Sequence, residues 1–88
     1  MNVEIKKLTD EEIARKGINQ WPIWEKEVSE FDWFYDSPEQ CYILEGEVTV
    51  KTDDKDYEIK AGDYVEFPQG LKCRWIIKKD IRKHYNFG

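Results

Sequence analysis

The chain has 88 residues, 40% hydrophobic and 38% charged, which allows one domain with a modest core under an ionic surface and excludes a two-domain enzyme. Nineteen Asp and Glu against fourteen Lys and Arg give a net charge of -5, a field that repels phosphate backbones and anionic lipid, so neither nucleic acid nor a membrane is an expected partner. No apolar run approaches the roughly 20 residues of a spanning helix, and residues 1–9 lack the apolar stretch of a signal peptide, which points to a soluble, cytoplasmic protein.

Two cysteines, Cys41 and Cys73, are too few for a disulfide scaffold and lack the paired spacing of a structural zinc site, so they read as free thiols. Aromatic residues reach 15%, enough to fill a small core with large rings and also to line a pocket. Abundant Glu and Lys beside two Cys and one Met match the composition of heat-tolerant proteins.

Thr9 opens the first element. It can cap a helix, Glu12 can bond back to it, Leu8 can staple onto Ile13, and Gly17 supplies the stop. The expectation is a helical arm over residues 1–20 whose helix, about two turns long, is too brief to stand alone and docks on a β body over residues 21–88. Trp21-Pro22-Ile23-Trp24 carries too much apolar area to float free, and should cover one end of that body or make a subunit contact. From residue 24 to 35 no Gly or Pro interrupts an extended segment, with Phe31, Trp33 and Tyr35 on one face and Asp32 and Phe34 on the other. Asp36-Ser37-Pro38 ends it.

Short strands are expected next over residues 41–44, 48–52, 57–59, 64–67, 72–78 and 81–87, divided by Gly46 and by turn clusters at 53–56, 61–63 and 68–70. So many short strands point to a closed or nearly closed barrel, which hides the edges they would otherwise expose.

Gly62, Pro68 and Gly70 fall at the spacing of the second cupin motif, in which G, five residues, P, one residue, G and two residues lead to a His. Cys73 stands at that His position, and Ile77 at the usual Asn. Upstream, Glu39, six residues and Gly46 resemble the second half of the first cupin motif, whose paired His positions fall on Trp33 and Tyr35 and whose opening Gly falls on Glu27. The chain therefore resembles the cupin superfamily over about residues 28–77. The resemblance implies a mostly β fold, a single small RmlC-like cupin barrel (double-stranded β-helix) with one short N-terminal helix, and it is compatible with a homodimer. Trp-Pro-Ile-Trp near the start, Cys41 before the Gly and Cys73-Arg74-Trp75 after Pro-x-Gly are similar to the small single-domain proteins grouped with the ureidoglycine aminohydrolase cupins, mostly of unknown function. That name implies a manganese-assisted release of ammonia from a ureido compound, an activity of larger two-domain members. Fold alone does not set chemistry.

The four positions where cupins place three His and one Glu carry Trp33, Tyr35, Glu39 and Cys73. Trp offers only an N–H donor and Tyr coordinates only as phenolate, so a standard metal centre lacks ligands and no metal or other cofactor is assigned. A divergent manganese or zinc site can be drawn from Glu39, Cys41, Cys73 and His84, with no spacing rule behind it.

Strand alternation in a barrel places Phe31, Trp33 and Tyr35 inside with Glu39, Cys41 and Ile43, and with Cys73, Trp75 and Ile77. Lys83 and Tyr85 share the face of Ile81, where Lys83 could meet a carboxylate, pair with Glu39, or instead snorkel to solvent. The expected ligand-binding set is Trp33, Tyr35, Glu39, Cys41, Cys73, Trp75, Lys83 and Tyr85, walls suited to a flat or apolar small molecule. Glu39 is the candidate general base, given an apolar wall to raise its pKa, and Cys73 the candidate nucleophile. Lys72 and Arg74, however, alternate away from Cys73, and no His is close to it in sequence. His84, the only histidine, is expected in solvent. Three readings stay open: a metal-free barrel that binds a small molecule leads, beside a metal-dependent enzyme similar to ureidoglycine aminohydrolase and a structural protein whose aromatics fill the interior.

Overall fold

The computed structural model, which describes residues 2–88, is mostly β with one short N-terminal helix. Its seven strands are β1 (Glu4–Lys7), β2 (Ile23–Lys26), β3 (Ser29–Phe34), β4 (Glu39–Lys51), β5 (Asp56–Lys60), β6 (Asp63–Phe67) and β7 (Lys72–Phe87), with helix α1 (Asp10–Lys16) between β1 and β2. The helix starts and stops where the caps predict. Glu12 N–H donates to Thr9 Oγ1 at 3.2 Å and Thr9 N–H donates to Glu12 Oε1 at 3.0 Å, while Gly17 ends the helix in the left-handed region. Ile18 in the following turn of 3-10 helix is fully buried and ties the arm to the body. Strand β1, absent from the sequence expectation, pairs with β6. All four of its side chains are exposed, so it carries no alternation to betray it.

Two long strands organise the rest. β4 and β7 run antiparallel along their whole length, from Glu39 opposite Phe87 to Lys51 opposite Arg74. The first half of β4 continues through β6 to β1, and the part of β7 beside it continues to β2. The second half of β4 pairs with β5, and the corresponding part of β7 with β3. Two half-sheets therefore share the same two strands and fold over each other at the irregular register between Ile43 and Val48.

Gly46 makes that fold-over. Its φ is +102°, and a Cβ there would lie 2.8 Å from Ile81 Cα and 2.9 Å from the Lys79 carbonyl oxygen, closer than a side chain tolerates. The bulge also shifts which residues face inward, from Glu39, Cys41 and Ile43 before it to Val48 and Val50 after it. Gly46 thus bends a strand instead of ending one. The expected pairs of strands, 41–44 with 48–52 and 72–78 with 81–87, are each one continuous strand because the ladder persists through the bend.

The expected extended segment 24–35 divides in the opposite sense. β2 pairs with β7 from Ile23 opposite His84 to Lys26 opposite Ile81, and β3 from Ser29 opposite Ile77 to Phe34 opposite Lys72. The two residues between them cross from one half-sheet to the other, and Val28 N–H is held by Asp80 Oδ1 at 2.9 Å. After β3, Tyr35 N–H donates to the Leu71 carbonyl at 2.9 Å and its carbonyl accepts from Gly70 N–H at 2.6 Å, so the turn before β7 fixes Tyr35 in the interior.

The core fills the space between the half-sheets with Ile43, Val48, Val50, Val65, Phe67 and Ile77 among its members. His84 is buried as well, correcting the expectation of a solvated side chain. The segment before β2 packs against this part of β7, with the Trp21 carbonyl oxygen 2.9 Å from His84 Nδ1 and the Pro22 carbonyl accepting from Tyr85 N–H at 3.0 Å. Among the described residues no helix is long and apolar enough to cross a membrane.

Candidate functional site

Where β2 and β3 diverge toward opposite half-sheets, their inward side chains cannot close over β7. A cavity of about 530 Å³ remains. Trp24 comes from β2, Phe31 and Trp33 from β3, Tyr35 from the segment after it, and Glu39 from the start of β4. Trp75, Lys83, Tyr85 and Phe87 come from β7, with Glu25 and Lys26 completing the lining. The odd-numbered β7 positions share one face of the strand, which explains why a single strand supplies four walls.

At the inner end Lys83 Nζ donates to Glu39 Oε2 at 2.7 Å, and each side chain is only 6% exposed. The ammonium also lies 4.7 Å from the Trp75 ring centroid and 5.0 Å from that of Trp24, within cation–π range of both. The two indoles meet edge to face at 6.0 Å, and Phe31 stacks on Trp75 at 6.1 Å. Tyr35 stacks on Phe67 at 4.7 Å. Burial, with Glu39, Cys41 and Cys73 nearby, pushes the Tyr35 phenol far above its ordinary value, so it stays protonated. Among the described residues the buried Trp75 indole N–H makes no hydrogen bond of good geometry, but it is close enough to the Tyr35 hydroxyl and the Cys73 thiol to offset part of the rise that burial causes in both.

Six of the eight residues expected in the ligand-binding set, Trp33, Tyr35, Glu39, Trp75, Lys83 and Tyr85, line this one cavity. Lys83 turns inward and pairs with Glu39 instead of snorkelling. Cys41 shares the face of Glu39 but lies fully buried beyond the cavity, and burial pushes its thiol up to about 12. Cys73 is half-buried beside a separate open groove shared with Trp33 and Arg74, and burial pushes its thiol up to about 11. Thiols held protonated at neutral pH are weak nucleophiles. Arg74 is turned to Asp32 and Glu30 at 2.9 and 3.2 Å.

The cupin metal positions do not fit a divalent ion here. Trp33 has no lone pair to give, Tyr35 keeps its proton, and Glu39 already has a counter-cation in Lys83. Nor do Glu39, Cys41, Cys73 and His84 converge, and among the described residues no group of three or more His, Cys, Asp or Glu could hold a metal.

The sequence reading did not place Trp24, Glu25, Lys26 and Phe87 in the site. Phe87 was within reach, since the alternation that gives Lys83 and Tyr85 leads directly to it. Trp24 carried a signal in its apolar segment, but which wall it joins depends on β2 pairing with β7.

The chain matches the family model described as a EutQ-like cupin domain over residues 13–85. Among solved structures it is similar to a DUF861-family protein from Thermotoga maritima, 55% identical with a TM-score of 0.96 over 99% of this chain and 100% of that one. It is also similar to the EutQ protein of Clostridium difficile, at 20% identity and a TM-score of 0.69 over 97% of this chain and 66% of that one. A DUF861-family protein from Pseudomonas syringae pv. tomato shares 24% identity and a TM-score of 0.69 over 75% of this chain and 29% of that one. The last two likenesses speak to fold alone. No curated protein matches the chain.

Proposed function

The chain belongs to the EutQ-like cupin family, and from that premise we propose that it is a cupin that binds a small organic molecule in its aromatic cavity without a metal. The observation that carries this reading is a buried Glu39–Lys83 pair at the inner end of an aromatic-walled cavity of about 530 Å³. That volume lies within the roughly 300–1,000 Å³ of small-molecule sites, and a few polar groups among apolar walls is their usual make-up. Trp33 and Phe87 are 49% and 54% exposed, so the cavity is reachable from solvent. An interior filled by its own rings would leave no such space. A metal-assisted deamination of the ureidoglycine aminohydrolase kind would need ligands that Trp33 and Tyr35 do not supply.

The test is a fragment screen by ligand-detected NMR on the wild type, Trp33→Ala and Phe34→Ala. Both residues are about half exposed, but only Trp33 lines the cavity. Removing one stacking wall should weaken the hits about fivefold or more, while Phe34→Ala leaves them unchanged. Equal losses in the two variants, or no hits at all, would remove the reading.

A further inference from the structure

Resting on the binding reading above, we infer that the ligand is an uncharged, planar molecule with a hydrogen-bond acceptor and donor side by side, the edge of a primary amide or lactam, read jointly by Lys83 and Glu39. An aromatic box ordinarily recruits a cation, but here the cation is built in. The Lys83 ammonium lies over both Trp24 and Trp75 and is paired with Glu39. A second cation would meet that ammonium with no carboxylate left to itself. An anion at the inner end fares no better, because it would share the Lys83 ammonium with Glu39 and set two carboxylates side by side at a buried position, the other lysine of the lining, Lys26, standing over the Phe31 ring. The inner end is balanced, and a ligand with net charge unbalances it.

Hydrogen bonding gives the second half. Lys83 has three N–H donors, and one is used by Glu39 Oε2. Among the described residues this is the one hydrogen bond of either side chain, which leaves Glu39 Oε1 as an acceptor. Both side chains line the cavity. A Lys83 donor that meets only the faces of Trp24 and Trp75, beside an acceptor on Glu39, matches a carbonyl oxygen and an N–H carried on one planar edge. Each bond to such a ligand is charge-assisted while the ion pair stays intact. The rings of Trp33 and Tyr85 accept the flat remainder of the molecule.

Benzamide, benzoate and benzamidinium form a nearly isosteric series that is neutral, anionic and cationic, and it separates these cases on the unaltered protein. Titration is followed through the indole N–H resonances of the ¹⁵N-labelled chain, with Trp24, Trp33 and Trp75 assigned by substitution. Benzamide should bind at least tenfold more tightly than either charged probe. For a ligand of its size the Kd would be about 10 mM, within range of NMR titration. Benzoate or benzamidinium binding as well as benzamide would overturn this inference and leave the cavity as a binding site. Absence of any cavity shift with all three probes would overturn the binding reading itself. Glu39→Gln removes the carboxylate and should move the preference from benzamide toward benzoate; an unchanged order in a folded Glu39→Gln protein would refute the joint role of the pair.

Discussion

Gly46→Ala tests the account of how two half-sheets are made from two strands. The substitution places a Cβ against the backbone of Lys79, Asp80 and Ile81 on the neighbouring strand, atoms that cannot rotate away, at a φ of +102°. Backbone strain of this kind costs about 1–3 kcal/mol, and forcing an atom into a packed contact adds about 1–3 kcal/mol. The expected loss is therefore about 2–6 kcal/mol, a large share of the roughly 4–13 kcal/mol that 88 residues usually provide. Gly17→Ala is the matched control, because Gly17 also has positive φ, at +69°, but a Cβ there meets nothing within 4 Å. Its cost should be the conformational part alone, about 1–2 kcal/mol. Urea unfolding followed by tryptophan fluorescence measures both. With a slope of about 1 kcal/mol per molar urea, the midpoint of Gly46→Ala should fall by about 2 M or more and that of Gly17→Ala by about 1–2 M. Equal losses in the two variants would refute the claim that close approach of β7, beyond φ alone, requires glycine at the bulge.

Lys83→Met strands the Glu39 carboxylate among aromatic rings and should cost about 3–5 kcal/mol. Joining it to Glu39→Gln should recover most of that loss, so additive single costs in a double-mutant cycle would show that the pair is not energetically coupled. Burial raises the folded thiols of Cys73 to about 11 and Cys41 to about 12 from an ordinary 9.0. The folded state then keeps protons that the unfolded chain releases, and stability should fall as pH rises from about 9 toward about 12. Cys41→Ala should flatten that slope in urea titrations across this window, and an unchanged slope would remove Cys41 as a source. Near neutral pH, Cys73 should react with iodoacetamide about tenfold more slowly than in the unfolded chain, its smaller thiolate fraction being offset in part by the greater nucleophilicity of a more basic thiolate, a rate ratio that mass spectrometry reads directly.

Local signals were sufficient for much of this protein. Thr9, Glu12 and Gly17 delimit the helix through contacts within a few residues, and the two half-motifs around Glu39–Gly46 and Gly62–Cys73 pointed to the cupin fold. Period-two alternation placed Lys83 and Tyr85 on the inner face, because side-chain direction along a strand is a property of the strand itself. Other features depend on residues far apart in sequence. Gly46 has the composition of a turn, and only the Lys79–Ile81 backbone beside it makes the position a bend in a continuous strand. His84 looks like a surface residue until the segment before β2 brings the Trp21 carbonyl against it. Cys41 shares the face of Glu39, yet one lies in the core and the other lines the cavity. Alternation decides which way a side chain points, whereas the volume it points into is set by the separation of β2 and β3. Alternation offered Glu39 as one partner for Lys83 and solvent as the other choice, and the β4–β7 ladder, with Trp24 and Trp75 over the ammonium, decides for Glu39.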